Sequence, residues 1–145
     1  MSGLRYVTAT EQDVQTIFAL SKSLIEEYED LSSVDYPKVL RWVESKIRNN
    51  IQKYNVILCN DEKVGYFCLE QHGDKWELDD FYILPLFRNM GIGTAVLSHI
   101  CENITGCIYL YVFAKNKGAI SLYERFGFKS VQTVSNTRQI MERPG

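Results

Sequence analysis

Polar and apolar residues change their rhythm several times along this 145-residue chain, and each change marks an element. Leu4 to Thr8 alternates as a short strand. Thr10-Glu11-Gln12-Asp13 has the form of a helix start, a hydroxyl residue with an acid three positions on. Val14, Ile17, Phe18, Leu20, Ser21, Leu24 and Ile25 follow at helical spacing, and the pattern fades across the acidic segment Glu26 to Asp30. Pro37 opens a second helix carrying Val39, Leu40, Trp42, Val43 and Ile47. The period then shortens to that of strands at Tyr54 to Cys59, Val64 to Glu70 and Trp76 to Ile83, with turns at Asn60-Asp61-Glu62-Lys63 and His72-Gly73-Asp74. That is an antiparallel meander.

Helical spacing returns from about Gly93 to Glu102, with Ala95, Val96, Leu97 and Ile100 inward, and the apolar run Ile108 to Phe113 reads as a buried strand. A strand-helix-strand connection of this size implies parallel pairing and a right-handed crossover. Asn116 predicts the N-cap of a helix ending near Phe126, Gly127 suits its stop, and strands follow around Phe128 to Thr133 and Arg138 to Met141. The expected fold class is α/β, a mixed, mostly antiparallel twisted sheet of about seven strands with about four helices. Neither linker nor repeat interrupts it, so residues 1–145 are expected to form a single domain.

Composition changes the picture mainly by exclusion. A net charge of −2 gives no electrostatic reason to expect nucleic acid or an anionic membrane as partner. No apolar run approaches the roughly 20 residues that span a bilayer, and Met1-Ser2-Gly3-Leu4-Arg5 lacks a signal-peptide pattern, so a cytoplasmic location is expected. Cys59, Cys68, Cys101 and Cys107 form no C-x-x-C pair and sit among apolar neighbours, as buried thiols in a reducing compartment do. His72 falls in a turn and His99 on a helix, so no metal site is expected.

The segment Arg88-Asn89-Met90-Gly91-Ile92-Gly93-Thr94 joins an apolar strand to an amphipathic helix. Two glycines one residue apart let backbone N–H groups approach an anion, and a helix start adds unpaired donors and a partial positive charge. Arg88 can supply a forked, charged partner. Val96 stands where a dinucleotide fingerprint needs a third small residue, and the Gly-Lys-Ser/Thr of a triphosphate loop is absent. A tight turn into a helix, with no ligand, fits the same residues until their surroundings are considered.

Those surroundings carry a family resemblance. The run from Leu78-Asp79-Asp80-Phe81-Tyr82-Ile83 through Arg88-Asn89-Met90-Gly91-Ile92-Gly93-Thr94 to Leu97 resembles the coenzyme A motif, Q/R-x-x-G-x-G/A, of the GNAT N-acetyltransferase superfamily. Asn116, Ala119, Tyr123, Gly127 and Phe128 resemble its N-x-x-A-x-x-x-Y-x-x-x-G-F block, and the order of predicted elements is that of the GNAT fold. The resemblance implies acetyl-CoA as co-substrate and transfer to a primary amine by direct attack in a ternary complex. The pantetheine arm would lie between the strand ending at Ile83 and the strand Ile108 to Phe113, along Phe81, Tyr82 and Ile83. The pyrophosphate would sit on the N–H groups of Asn89 to Thr94 beside Arg88, and Asn116 would contact the arm as well as cap its helix.

An aliphatic amine of pKa near 10.4 is neutral about once in 2,500 molecules at pH 7, a handicap of roughly 4.6 kcal/mol, so a positioned base matters. Glu77, Asp79 and Asp80 cluster beside the expected thioester; an undistorted strand puts Glu77 and Asp79 on one face and Asp80 on the other, which a bulge would change. Leu78 to Ile83 also looks like the corresponding strand of the spermidine/spermine and thialysine acetyltransferase branch, whose acidic pair supplies the base and seats a cationic acceptor. Asp79 inherits the role of base, through water where its shorter side chain falls short, and Asp80 helps to hold the acceptor. Tyr123 stands where the family places a general acid toward the leaving thiolate.

Glu26, Glu27, Tyr28, Glu29 and Asp30 would border the acceptor cleft, a rim that concentrates cationic amines, with Glu27 and Tyr28 as contacts. Acids at the negative end of a helix dipole also read as a solvated face. Trp42, Trp76, Tyr82 and Tyr111 are expected in the core or cleft wall. Ribosomal-protein and N-terminal peptide acetyltransferases tend to carry Glu where this chain has Tyr111, which disfavours a peptide acceptor. Asn89 replaces a common loop glycine, tolerably, because Asn accepts positive φ. A polyamine or diamino acid is the expected acceptor; a peptide or aminoglycoside acetyltransferase, or a non-catalytic acetyl-CoA sensor, is the alternative. Pairing through the last strands into a homodimer is common for the family.

Overall fold

The computed structural model describes Gly3 to Gly145; Met1 and Ser2, part of the segment read for a leader, lie outside the described residues. One seven-stranded sheet is built from β1 (Leu4–Thr8), β2 (Tyr54–Cys59), β3 (Glu62–His72), β4 (Lys75–Ile83), β5 (Cys107–Phe113), β6 (Lys129–Thr133) and β7 (Arg138–Arg143), in the order β1-β2-β3-β4-β5-β7-β6. Only β4 and β5 are parallel. Helices α1 (Val14–Tyr28) and α2 (Tyr36–Asn49) cover one face, and α3 (Ile92–Asn103) and α4 (Lys117–Arg125) the other.

Each face has its own core, built by the periodicities read in the sequence. Val14, Ile17, Leu20 and Ile25 of α1 meet Val43 and Ile47 of α2 over Val56, Tyr66 and Tyr82. Ile92, Val96, Leu97 and Ile100 of α3 meet Tyr123 and Phe128 over Phe67, Leu78, Ile108, Leu110 and Met141. The alternation of Ile108, Leu110 and Val112 toward this second core turns Tyr109, Tyr111 and Phe113 to the α1/α2 side.

Local chemistry sets the boundaries. The Asp13 carboxylate accepts from the Thr10 N–H at 2.9 Å and so completes the expected helix start. Asp35 caps α2 through the Lys38 N–H at 3.2 Å. The turn expected over Asn60–Lys63 contracts to two residues, because Asn60 and Asp61 both take positive φ (51° and 67°) and close a tight hairpin, leaving Glu62 in β3. Helix α1 runs on to Tyr28, and the Glu29 N–H bonds Ile25 O at 2.8 Å, so Glu26 and Glu27 belong to the helix. Trp42 departs from the expected core or cleft wall, being 64% exposed, whereas Tyr111, 44% exposed, stands on β5 beyond its last pair with β4. The four cysteines are free, and only Cys68 is buried.

A bulge in β4 positions the chemistry. The register with β3 passes from Tyr66 opposite Tyr82 to Cys68 opposite Asp79, so β4 carries one residue more than its partner, and Asp80 adopts φ 53°. The pleat is thereby reset. Leu78 faces the α3/α4 core and Tyr82 the α1/α2 core, although their even spacing would put them on one side of a regular strand. Asp79 and Asp80 consequently both point toward α2, contrary to the opposite faces of an undistorted strand.

Gly65 fits this close pairing, since a Cβ there would lie 2.3 Å from the backbone oxygen of Tyr82. Gly65→Ala is expected to destabilise the fold by about 2 kcal/mol. Urea denaturation checks this; an unchanged midpoint would mean that β3 and β4 separate there at no cost.

Candidate active site

β4 and β5 share only the pairs Lys75–Cys107, Trp76–Ile108 and Glu77–Tyr109. Beyond Glu77 the strands part, while β5 stays paired with β7 as far as Phe113 and β4 with β3 as far as Ile83. The sheet is split between its two central strands. Leu84 N donates to Val64 O at 2.8 Å on the β3 side, so alternation of peptide groups turns those of Ile83 and Phe81 to the open edge. Ile83 O confirms its own direction by accepting from Arg88 Nε at 2.9 Å instead of from a strand. Tyr82 differs from the expected contacts along this edge: its carbonyl lies over Gly65 on β3, and its ring enters the α1/α2 core.

At the open end of the split, Pro85–Phe87 forms a 3₁₀ turn, Asn89 takes φ 62° and Gly91 takes φ 82° as the N-cap of α3. None of the N–H groups from Asn89 to Thr94 has an acceptor among the described residues. Helix starts routinely leave donors over, yet six in sequence with no side-chain cap make an unusually bare one. Gly93 adds a second observation. A Cβ there would meet Ile83 Cγ1 and Leu122 Cδ2 at 3.8 Å, ordinary contact, so the protein itself has no steric need for glycine inside this helix. Arg88 is exposed beside the loop and keeps its terminal guanidinium nitrogens free of protein partners among the described residues.

The acids gather on the α1/α2 side of the split around Lys46. Its Nζ lies 2.9 Å from Asp79 Oδ2 and 3.2 Å from Asp80 Oδ2. Asp80 is the more fully engaged, accepting also from Tyr54 Oη at 2.5 Å and Tyr82 Oη at 2.8 Å. Asp79 keeps Oδ1 without a hydrogen-bond partner among the described residues. Burial, reinforced by the Asp80 charge and opposed by Lys46, pushes the Asp79 carboxyl up to about 6. Burial works against the Lys46 ammonium, but Asp80 and Asp79 together outweigh it and hold its pKa above that of an ordinary lysine. Glu77, at the last β4–β5 pair, accepts from Tyr109 Oη at 3.4 Å and lies 3.2 Å from His72 Nε2. It does not join the Lys46 cluster.

On the other side of the split, Tyr123 is 8% exposed in the α3/α4 core, and its hydroxyl has no hydrogen-bond partner among the described residues. Burial raises its pKa. The Asn116 side chain accepts from the Ala119 N–H at 3.3 Å, so it caps α4 as expected. Tyr28 stacks on Phe113, the last residue of β5, with ring centroids 6.0 Å apart, and Glu27 beside it is exposed. Two of the rim acids are structural: Glu29 accepts from Thr137 Oγ1 at 2.5 Å, and Asp30 caps the Ser32 N–H at 3.1 Å.

The structure brings Asp79 and Asp80 together on Lys46 and Tyr54, neither of which the sequence singled out. A signal for Lys46 existed, because it lies three residues after Val43 and beside Ile47 on the buried stripe of α2, where a lysine calls for an acidic partner. Tyr54 carries no such mark.

The arrangement can be set beside known proteins. The profile of the Acetyltransferase (GNAT) family matches residues 17–128. N-alpha-acetyltransferase 50 from Danio rerio is 36% identical over 88 residues, 53% of this chain and 51% of that protein. Mycothiol acetyltransferase from Corynebacterium efficiens is 31% identical over 90 residues, 57% of this chain and 28% of that protein. These matches span about half the length of the curated relatives or less. The PaiA N-acetyltransferase from Thermoplasma acidophilum, solved with coenzyme A, superposes with a TM-score of 0.74 at 19% identity and covers 100% of both chains. The ribosomal-protein-S18-alanine N-acetyltransferase from Escherichia coli superposes at 0.67 with 18% identity, covering 97% of this chain and 93% of that one. With the profile spanning most of the sequence and the split sheet and bare loop in place, the chain belongs to the GNAT acetyltransferase family.

Proposed function

We propose that this chain transfers the acetyl group of acetyl-CoA to a primary amine in a ternary complex. The observation that carries this reading is the run of free N–H groups from Asn89 to Thr94 at the mouth of a sheet whose two central strands part beyond Glu77. Those amides, the α3 dipole and Arg88 would hold the pyrophosphate. The outward peptide groups of Phe81 and Ile83 would hold the pantetheine arm. Acetyl-CoA bound there supplies an activated acyl carbon and a thiol leaving group.

Asp79 is the base in this reading. Its free Oδ1 can take a proton from the amine or from a water beside it, and a pKa of about 6 leaves it about nine-tenths ionised at pH 7 while making it a stronger base than an ordinary aspartate. Asp80 holds Lys46 and the two tyrosines and so orients Asp79. Glu77 is too engaged with Tyr109 and His72 to be the first choice. Tyr123, on the opposite side of the split, would donate a hydrogen bond to the departing sulfur; its raised pKa suits a neutral donor better than full proton release. The reaction forms a C–N bond, breaks a C–S bond and carries one proton from the amine to the thiol.

The acceptor enters from the α1/α2 side, where Asp79 meets Lys46 of α2 and where Glu27 and Tyr28 end α1. The acidic strand points to a small cationic amine; an uncovered acidic pair would suit a polyamine or diamino acid, but Lys46 already sits on this one. A peptide amino terminus is the second reading, favoured by the 36% identity to N-alpha-acetyltransferase 50. The homodimer remains a proposal, for which β6 offers a free sheet edge.

Binding and chemistry can be tested separately. Gly93→Ala should melt at or slightly above the wild type, since alanine gains up to about 1 kcal/mol over glycine in a helix, yet lose the acetyl-CoA stabilisation of about 2.7 kcal/mol expected at 100 times the dissociation constant. A Gly93→Ala protein that keeps the full thermal shift would place the coenzyme elsewhere.

Asp79→Asn should lower kcat/KM by about 10²-fold or more. In the wild type, log kcat/KM should fall with a slope near two below pH about 6, as both Asp79 and the amine take up protons, and with a slope near one above it. Asp79→Asn should show the single slope throughout. Tyr123→Phe should reduce kcat with little change in KM for the amine. Free-thiol release across the pH range measures all three, and unchanged rates in both variants would remove the mechanism.

A further inference from the structure

We propose that Lys46 sets the charge of the acceptor: seated on the Asp79–Asp80 pair, it restricts the enzyme to amines carrying a single ammonium and excludes diamines and polyamines. This rests on the acetyl-transfer reading above and narrows its substrate class.

Two carboxylates side by side would draw a second cationic centre of the acceptor, but here the protein supplies that cation itself. Lys46 Nζ reaches both Asp79 Oδ2 and Asp80 Oδ2, and its side chain is only 24% exposed. The Trp42 ring, one turn earlier on α2, lies 5.8 Å from the same ammonium and flanks it. Asp80 already accepts from Tyr54, Tyr82 and Lys46, which nearly fills a carboxylate's capacity. Of the four carboxylate oxygens only Asp79 Oδ1 is left without a partner among the described residues.

The charges count the same way. Two ionised carboxylates and one ammonium leave a single negative charge, enough for one incoming amine. An acceptor's second ammonium would have to displace a tethered lysine, whose local concentration is set by its own helix, or lie against its positive charge. Lys46 also favours the chemistry for a single amine, because a neighbouring cation lowers the pKa of the nitrogen that must attack in neutral form. Both an alkyl monoamine and a peptide amino terminus with no adjacent lysine meet this requirement.

The test compares kcat/KM for alkyl monoamines and α,ω-diamines of matched length, and for short peptides with and without lysine at the second position, in the wild type, Lys46→Met and Lys46→Arg. The wild type and Lys46→Arg should favour the singly charged member of every pair by about tenfold or more, and Lys46→Met should erase or invert that preference. A merely structural role for Lys46 would lower both members together and leave their ratio alone. A wild type that prefers diamines, or a ratio unmoved in a Lys46→Met protein that still shows the acetyl-CoA thermal shift, would overturn the assignment while acetyl transfer stands. The wild-type ratio decides the matter even where Lys46→Met fails to fold. Absence of turnover with every amine would overturn acetyl transfer itself, and this inference with it.

Discussion

A strand inside a sheet ordinarily satisfies its backbone on both edges, and β4 does so only from Lys75 to Glu77. From there to Ile83 one edge is paired with β3 and the other is left open, because β5 diverges to follow β7. The whole arrangement follows from that divergence. It exposes a line of peptide groups in the middle of the molecule, lets the two helical layers approach from opposite sides, and ends beside the bare start of α3. An open edge at a sheet's centre would be a liability without something to cover it.

The bulge at Asp80 gives the split its two unlike walls. By inserting one residue into β4 it keeps Leu78, Phe81 and Ile83 with the α3/α4 core while turning Asp79, Asp80 and Tyr82 to α2. Acidic groups and the candidate thiol-side tyrosine are thereby kept on opposite sides of the split. The cost of gathering two half-buried carboxylates is offset by Lys46 and Tyr54, both distant from them in sequence, and by the hydroxyl of Tyr82, two residues beyond Asp80. The pKa of the Asp79 carboxyl is held at about 6 by this balance, burial and Asp80 raising it and Lys46 restraining it.

The sequence made the local parts legible. Element order emerged because the apolar periods at Val14–Ile25, Val43–Ile47 and Ile108–Val112 are those of the cores they form. The bare loop emerged because it is made of consecutive backbone groups, with Gly91 supplying the positive φ at the start of α3. Tertiary parts were not legible. Which face Asp80 takes depends on its register against β3; Lys46 meets Asp79 across 33 residues, and Glu29 meets Thr137 across 108. Trp42 was misjudged for the same reason, since aromatic character does not say whether a helix face will be covered. Tyr82 was placed with the coenzyme by adjacency, yet the alternation of peptide groups gives its backbone to β3.

The central claim is that the Asn89–Thr94 amides and the open edges of β4 and β5 receive one coenzyme together. Amide hydrogen exchange with and without coenzyme A addresses it residue by residue. Slow exchange gained in the complex at Asn89 to Thr94 and at Phe81 and Ile83, with these amides exchanging rapidly in the free protein, is the predicted result. Coenzyme binding that leaves those amides unprotected, with protection gained only elsewhere in the molecule, would contradict the account.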